Sequence, residues 1–496
     1  MHQHAPLQTS TERSVRQEGG APLIRSLQSR LRFLSEPRSG EPSRFPSGSR
    51  VALLLTGVAI LAASHLIAYI RSGSESSVPL TDPSRLQPSD LADFPSASVG
   101  IRFFQERLKQ NPEDFLSLTL LGQLYLQQAR TTGDVASYGR AEAALLRALK
   151  NLPGYPAAEA ALASVRYATH DFIGALYLAQ AVYQVNPRRT ELLATIGDAQ
   201  LSLGQYERAA ASYQELVARA SSPSLLARLA HQAELNGKPD EALKLMRRAA
   251  GEALFNNVAK EEMAWYLIRL GDLHFNAGQI DSAEEHYQAA LRIYPDYYLG
   301  LADLGKARAA QGREQNAIQL YEQAVAIIPQ PDFLAALGDL YAIMGRLEEA
   351  ERQYETVEFI GTLDALNQVI YNRQMAMFYA NHDRNLDEAL ELAARELEVR
   401  KDIYGYDALA WALYQNGRYQ EAEEAMLQAL SLGTRDAMLY YHAGMIYVGL
   451  GDSLRAQAML NEALSINSHF DLLQSRVARE TLDGIGATAA LGSAND

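Results

Sequence analysis

The sequence predicts an all-α, right-handed superhelical solenoid of about ten helix-turn-helix repeats that follows a single transmembrane helix. Three observations support this prediction. Small, aromatic and turn residues recur with a period of 34 or 33 residues from about residue 98 onward. A run of twenty residues near the N-terminus has no formal charge, and segments rich in Ser and Pro flank that run. The chain of 496 residues is long enough for roughly two to four ordinary domains or for one long array, and the period favours the array.

The first segment, residues 1–50, contains eight Arg and four Glu among many Ser, Pro and Gly residues. It has no sustained hydrophobic periodicity, so we expect a disordered tail. The uncharged run, VALLLTGVAILAASHLIAYI at 51–70, is long enough at about 1.5 Å per residue to cross the ~30 Å hydrocarbon core of a bilayer. Residues 71–97 are rich in Ser, Pro and Asp and indicate an extended linker.

Positive charge is denser on the N-terminal side of the uncharged run. The nearby arginines are Arg32, Arg38, Arg44 and Arg50 before it and Arg71 and Arg85 after it. The positive-inside rule therefore predicts a cytoplasmic tail and an array on the extracytoplasmic side. An organellar transit peptide is the alternative, and the four Glu residues of the tail count against it.

Composition excludes several kinds of chemistry. The net charge is −14 although the tail is basic, so the rest of the chain is acidic, which argues against nucleic acid as a partner. The chain has no cysteine, which excludes disulfides, cysteine-type zinc sites and a cysteine nucleophile. Its histidines are scattered and form no His-Glu-x-x-His motif. We therefore predict no catalytic residues, no metal site and no cofactor.

The period is clearest at Gly271, Gly305 and Gly338, which are 34 and 33 residues apart. An alanine follows each of these glycines by twelve residues, and a tyrosine follows each by sixteen. A small residue in the first helix lets the second helix approach closely, and an aromatic residue fills the space between repeats. Further glycines lie where the two helices must be joined by a turn, at which a positive φ is needed.

This pattern resembles that of tetratricopeptide repeat (TPR) proteins, whose unit is a pair of antiparallel helices of 34 residues. The resemblance assigns residues 98–469 to the array, 470–484 to a capping helix and 485–496 to a disordered tail. An N-terminal span followed by such an array also resembles bacterial inner-membrane TPR scaffold proteins. This second resemblance implies a scaffold or adaptor that acts in assembly, secretion or quality control of envelope proteins.

The segment GLADLGKA, residues 300–307, has Gly300, Gly305 and Lys306 at the spacing of a nucleotide-binding P-loop. Ala307 stands where that motif needs a hydroxyl for Mg²⁺. Gly305 also lies on the repeat period, which predicts a helix in place of a phosphate-binding loop. A nucleotide-using enzyme is therefore the least favoured hypothesis, and a self-associating organiser of a membrane complex is the alternative to the scaffold.

The TPR resemblance implies a concave groove, lined by the first helix of each repeat, that binds peptides or partner helices. Positions around the small residue of each first helix should face this groove. The candidate residues are Asp198, His231, Arg269, Asp272, Lys306 and Asp339 in the centre, and Tyr404, Asp407, Trp411, Tyr414, Tyr441, His442 and Met445 towards the C-terminus. The aromatic residues have two interpretations, as anchors for a partner or as packing between repeats.

Overall fold

The computed structural model describes residues 96–367 and 372–493, and within these ranges it is entirely helical, without strands. The predicted tail and transmembrane segment, and the linker before Ser96, lie outside the described residues. Among the helices that are described, none combines the length and the apolar character that crossing a bilayer requires.

The helices are α1 (Ala97–Gln110), α2 (Phe115–Thr132), α3 (Ala136–Asn151), α4 (Pro156–Ala168), α5 (Phe172–Val185), α6 (Leu192–Ser202), α7 (Tyr206–Val217), α8 (Pro223–Leu235), α9 (Pro239–Phe255), α10 (Lys260–Asn276), α11 (Ile280–Ile293), α12 (Tyr298–Ala310), α13 (Glu314–Ile327), α14 (Pro331–Ile343), α15 (Leu347–Asn367), α16 (Asn372–Asn381), α17 (Leu386–Val399), α18 (Ile403–Gln415), α19 (Tyr419–Ala429), α20 (Ala437–Leu450), α21 (Ser453–Ile466) and α22 (Gln474–Ser493).

From α2 to α21 the helices pack in consecutive pairs, which gives ten repeats numbered from α2/α3 to α20/α21. Second helices also pack against the first helix of the next repeat, for example α3 against α4 and α11 against α12. The buried side chains therefore form clusters that run between sequence neighbours, such as one from α1 to α4 and one from α8 to α10. The body formed by the repeats ends at Leu482.

A tyrosine ring fills the space beside a glycine in several repeats. A Cβ placed on Gly271 in α10 would lie 2.3 Å from Cε1 of Tyr287 in α11, so the ring occupies the volume that a side chain would need. The same contact recurs between Gly197 and Tyr213 and between Gly338 and Tyr354. The predicted close approach of the two helices is confirmed, and it requires glycine at these positions.

Two of the longer connections between repeats are largely helical. In the segment at 251–263, α9 continues to Phe255 and α10 already begins at Lys260. In the segment at 359–371, α15 continues to Asn367. Other second helices end before a proline such as Pro295, which cannot continue a helix. No proline stands at the corresponding position of α9 or α15, so both helices extend.

The last helix differs from the expected cap at 470–484. It begins at Gln474 because the Asp471 carboxylate accepts hydrogen bonds from the backbone N–H groups of Leu473 and Gln474, both at 2.8 Å, and so forms a turn before the helix. It also continues to Ser493, through residues that we expect from the sequence to be a disordered tail. At the other end, α1 precedes the first repeat and packs on α2.

The first helices lie on the inside of the curve. Neighbouring first helices contact each other, for example α2 with α4, α10 with α12 and α18 with α20. Neighbouring second helices make no comparable contact in the described part of the chain. We call the side of the first helices that faces the interior of this curve the inner surface.

The curvature also brings distant repeats into contact. Hydrogen bonds join repeats three to five to residues that lie 192 to 199 positions further along the chain. The earlier residues lie near the end of a first helix or at the start of a second helix, and the later residues lie at the start of repeat nine, just before repeat ten or just after repeat ten. The donors and acceptors are Lys401 N–H to the Ser202 carbonyl, Ile403 N–H to the Tyr206 hydroxyl, Thr434 Oγ1 to the Leu235 carbonyl and Asn467 Nδ2 to the Phe275 carbonyl. We call this line of contacts the seam.

We expect Gly271→Ala to destabilise the array by about 1–3 kcal/mol, because the new methyl group would overlap the Tyr287 ring. The matched control is Gly251→Ala in α9, where a Cβ meets nothing within 4 Å and should stabilise the helix by up to about 1 kcal/mol. Urea unfolding followed by circular dichroism measures both changes. Equal effects of the two substitutions would contradict this account of the helix contact.

Candidate functional site

Three aspartates of the predicted groove are held by tyrosines of their own repeats. Each aspartate directly follows the glycine of the first helix, and each accepts a hydrogen bond from a tyrosine hydroxyl fifteen residues later. The O–O distances are 2.7 Å from Tyr213 to Asp198, 3.0 Å from Tyr287 to Asp272 and 2.8 Å from Tyr354 to Asp339. We call this bond the Asp–Tyr clamp. It fixes the second helix against the first.

Ion pairs connect these aspartates to neighbouring side chains. Arg228 of repeat four binds both carboxylate oxygens of Asp198, with Nε 2.8 Å from Oδ1 and Nη2 2.7 Å from Oδ2. Arg269 donates to Asp272 at 2.7 Å and to Glu234 of repeat four at 3.4 Å. Two-point binding of a carboxylate by arginine gives directional as well as electrostatic stabilisation. Much of the predicted mixed-charge surface therefore serves to join repeats.

His382 extends the clamp of repeat seven into repeat eight. Its Nε2 donates to Asp339 at 2.8 Å, and its Nδ1 donates to the Phe378 carbonyl at 2.7 Å. Burial alone would lower the pKa of His382, but the Asp339 charge and these two acceptors outweigh burial and raise it. The stability that this contact contributes is therefore fully present below the ordinary histidine pKa and is lost as the pH rises through the raised value.

Repeat six breaks the pattern, because Lys306 stands where the clamp has aspartate. The tyrosine is present as Tyr321, but its partner position is now a cation. Lys306 is exposed, and its Nζ lies 4.2 Å from the centroid of the Phe275 ring, within the range of a cation–π contact. Among the described residues it forms no ion pair within 4.0 Å. His231 is also accessible, with 45% of its side chain exposed and its Nδ1 3.5 Å from Glu234.

Carboxylates from several repeats surround Lys306. Burial and the Asp272 carboxylate hold the pKa of Asp303 well above its usual range, against the opposing charges of Lys306 and Arg269. The Asp303 side chain is partly exposed, although protein atoms make up most of its surroundings. Carboxylates therefore lie close together on this part of the inner surface.

Two more carboxylates reach Lys306 from the far end of the chain. Burial raises the pKa of Asp436, which precedes α20, and of Asp471, which precedes α22, and in both cases the charge of Lys306 opposes the rise. Burial and Asp436 also raise the pKa of Tyr404 well above its usual range, which places this candidate residue beside the same carboxylate. Residues separated by more than 100 positions thus share one electrostatic environment.

The candidate residues near the C-terminus are placed differently. Trp411 is 2% exposed, stacks on Tyr414 and His442 with centroids 4.9 and 4.2 Å away, and donates from Nε1 to Asn381 at 2.8 Å. Tyr441, Met445 and Asp407 are also buried, and Asp407 accepts from Nδ1 of His442 at 2.8 Å. These side chains pack between repeats nine and ten, so the interpretation as exposed anchors does not describe their position. Stacking buries the apolar rings, while Trp411 Nε1 and His442 Nδ1 find hydrogen-bond partners inside.

The sequence contains one signal for the clamp that the prediction of groove residues did not use. Aspartate and tyrosine recur fifteen residues apart in three repeats, at Asp198, Asp272 and Asp339, and repeat six keeps the glycine and the tyrosine but has Lys306 in place of the aspartate. No comparable signal exists for Asp436 and Asp471, because their proximity to Lys306 follows only from the curvature of the array.

The P-loop interpretation of residues 300–307 is wrong. The whole segment lies within α12, and Gly305 faces the ring of Tyr321 with a hypothetical Cβ 3.0 Å from it. A phosphate cradle needs backbone N–H groups that are free in a loop, and in a helix they are already bonded. Across residues 96–367 and 372–493 no group of three or more His, Asp or Glu side chains is arranged to hold a metal ion.

Models of the tetratricopeptide repeat match residues 195–257, 268–332, 403–435 and 438–470. The chain carries tetratricopeptide repeats. The matched ranges correspond to repeats three to six, nine and ten, and the remaining helix pairs share their packing. The fold is an all-helical TPR-like solenoid.

Two curated relatives are each 28% identical to the chain. Human protein O-mannosyl-transferase TMTC1 matches over 221 residues, or 43% of the chain, and cellulose synthase operon protein C of Pseudomonas fluorescens (strain SBW25) matches over 329 residues, or 63% of the chain. The chain spans only 24% of the length of either relative. The transferase activity in the human protein's name therefore does not follow from the match.

Solved structures of low sequence identity are also similar. The human IFIT1 dimer with m7Gppp-AAAA is 16% identical and covers 67% of the TPR chain and 77% of its own, with a TM-score of 0.44. Yeast Tom70 is 14% identical and covers 74% and 95%, with a TM-score of 0.30. At these identities the similarity concerns the all-helical fold alone.

We expect Trp411→Ala to destabilise the array by about 3–5 kcal/mol, since it removes a buried ring between repeats. The control is Phe255→Ala, which removes a ring that is 90% exposed and should change the free energy of unfolding by less than about 0.5 kcal/mol. Denaturant unfolding measures both. A Trp411→Ala protein as stable as the wild type would contradict the packing interpretation.

We expect Asp303→Asn to stabilise the array at pH 8 and to lose this advantage as the pH falls. The raised pKa means that the folded state binds the proton more tightly than the unfolded state, so the wild type loses stability as the pH rises through the raised value. Asp296→Asn, at an exposed carboxylate, is the control and should have little effect at any pH. Thermal unfolding from pH 5 to pH 8 tests this, and an advantage that does not vary with pH would refute it.

Proposed function

We propose that the chain is a membrane-anchored TPR scaffold or adaptor that binds protein partners on the inner surface of its array. The observation that carries the proposal is Lys306. It replaces the clamp aspartate, remains exposed, and stands among carboxylates without an ion pair in the described part of the chain. An exposed ammonium group that forms no ion pair among the described residues is available to a partner, whereas Asp198, Asp272 and Asp339 are engaged in clamps.

The charges around Lys306 indicate the chemistry of the partner. Asp303, Asp436 and Asp471 carry the same sign and have raised pKa values, so their ionised forms are poorly compensated. Lysine or arginine side chains of an extended segment would complement these carboxylates, and a backbone carbonyl or carboxylate of the same segment would meet Lys306. TPR-type inner surfaces suit such segments because successive first helices present a continuous strip.

The membrane anchor in this proposal is the uncharged segment 51–70, with the array on the extracytoplasmic side. A tethered array there would act in assembly, secretion or quality control of envelope proteins. The alternative is a self-associating organiser of a membrane complex, for which Lys306 would contact a second copy of the chain.

A photo-crosslinking amino acid at position 306 of the full chain tests the proposal. In native membranes, we expect it to crosslink to other proteins, which mass spectrometry then identifies. The matched control carries the same group at position 177, where a 72% exposed tyrosine lies on the second helix of repeat two. Crosslinking at 306 should exceed that at 177 because only 306 faces the inner surface.

Three outcomes separate the hypotheses. Adducts with other proteins at 306 support the scaffold, and adducts made only of two copies of the chain support the self-associating organiser. Equal adducts at 306 and 177, or none at 306, would reject the inner surface as the binding site. Release of the full chain from the membranes by carbonate would reject the anchor.

A further inference from the structure

The seam closes the inner surface from the side. It joins repeat three to the start of repeat nine, repeat four to the start of repeat ten, and repeat five to the end of repeat ten. Lys306 lies in repeat six, between the repeats that the seam joins, and its charge is felt by Asp436 and Asp471 on the far side. A partner that reaches Lys306 from the side must pass the seam.

Turn glycines make the seam contacts possible. Gly204, Gly237 and Gly278 have positive φ values, as the turn between two helices requires. They have a second role, because a Cβ on them would lie 2.4, 2.2 and 3.0 Å from backbone carbonyl oxygens of the facing repeats. In repeats six and seven, Gly312 and Gly345 have the same backbone conformation, but a Cβ there would meet nothing within 4 Å. Among the turn glycines that the structure describes, those at the seam need glycine for space as well as for conformation.

The seam is built differently from the contacts between successive repeats. Successive repeats share clusters of buried apolar side chains, whereas the seam consists mainly of hydrogen bonds to backbone carbonyls. An apolar contact of Ile328 with Gly133 adds to it at repeat one. Water can replace such hydrogen bonds when the two sides separate, so opening costs less than parting two successive repeats.

Like charges also oppose each other across the seam. Glu234 lies near the end of α8, the first helix of repeat four, and Asp436 directly precedes α20, the first helix of repeat ten. Burial is the largest cause of the raised pKa of Asp436, and the Asp407 and Glu234 carboxylates raise this pKa further. Arg269 and Asn276 compensate Glu234 from its own side. Closure therefore brings two carboxylates together, which reduces the stability of the closed seam.

We propose that the seam is a gate, which opens between repeats three to five and repeats nine to ten to admit a partner to the inner surface around Lys306. The array hinges at the successive repeats between these two groups, and the hydrogen bonds of the seam hold the closed state. The role of the gate in partner binding rests on the function proposed above, but the opening itself can be measured without any partner.

A reversible lock tests the gate. The chain has no cysteine, so a single introduced pair can form only one disulfide within the chain. A Cβ on Gly278 would lie 3.9 Å from Cβ of Asn467, which is within the range of disulfides. The variant with Gly278→Cys and Asn467→Cys should therefore lock the seam when oxidised and release it when reduced. Both substitutions weaken the reduced seam, because a Cβ on Gly278 lies 3.0 Å from the Ile466 carbonyl oxygen and the Asn467 bond to Phe275 is lost, so the oxidised and reduced forms of this same variant are compared. Oxidised and reduced wild-type protein are the controls.

Access to Lys306 is the measured quantity. A bulky amine-reactive biotin reagent and a small acetylating reagent are applied to the full chain, and mass spectrometry quantifies both products at Lys306 and at Lys238, whose side chain is 65% exposed. We expect the bulky reagent to reach Lys306 only in the open state, with a population of up to about 10%. Because oxidation removes this state, bulky labelling of Lys306 should fall about tenfold or more. Acetylation of Lys306, and both reactions at Lys238, should not change.

A second pair of variants avoids reliance on the disulfide. Gly237→Ala should open the seam, because its Cβ would overlap the Gly433 carbonyl oxygen, and bulky labelling of Lys306 should rise. Gly312→Ala carries the same conformational cost without a seam contact and should leave labelling unchanged. Equal bulky labelling of Lys306 in the locked and released forms, or equal effects of the two alanine variants, would overturn the gate. If labelling is gated but position 306 crosslinks to no protein, the gate stands and the proposed function fails.

Discussion

The tyrosine ring of a second helix rests on the bare backbone of a glycine in the first helix, and its hydroxyl donates to the aspartate beside that glycine. Gly271, Asp272 and Tyr287 form this unit in repeat five, and equivalent residues form it in repeats three and seven. Because the ring occupies the space of a missing Cβ, the distance between the two helices is narrowly defined. The hydrogen bond then fixes their relative rotation.

The curvature of the array follows from close packing within each helix pair, of which this unit is the form in repeats three, five and seven. Close packing within each pair leaves the first helices in contact with one another on the inner side. A small bend at every repeat accumulates until repeats five to six units apart touch along the seam. Solenoids are otherwise held together by nearest-neighbour contacts alone. The seam adds long-range contacts, and with them a distinction between a closed and an open array.

The same unit decides which charges are free. Where aspartate follows the glycine, its carboxylate is used by the tyrosine and by an arginine or histidine, as for Asp198 and Asp339. Where lysine follows the glycine, in repeat six, no clamp forms and the cation stays exposed. Charged residues at equivalent positions of a repeat therefore differ in role, and the position of Lys306 identifies the part of the inner surface that the fold leaves available.

The sequence alone determined the repeat period, the pairing of helices and the positions of the glycine–tyrosine contacts, because the period is the recurrence of residues 33 or 34 positions apart and each contact joins residues only sixteen positions apart. It also predicted that 300–307 is helical, from the position of Gly305 in the period. It could not distinguish buried from accessible aromatic residues near the C-terminus, because Trp411 and Tyr441 have the spacing of groove residues and yet are buried among the side chains of repeats eight to ten and the segment that follows.

Only the tertiary structure decided the seam and the surroundings of Lys306. Both depend on how small bends add up over repeats, and a period of 34 residues specifies the repeats but not the angle between them. Asp436 and Asp471 lie near Lys306, and Gly237 near Gly433, because the accumulated bend completes a turn there. The sequence therefore carried the local contacts that build the array, and the sum of those contacts in space decided which of its distant residues meet.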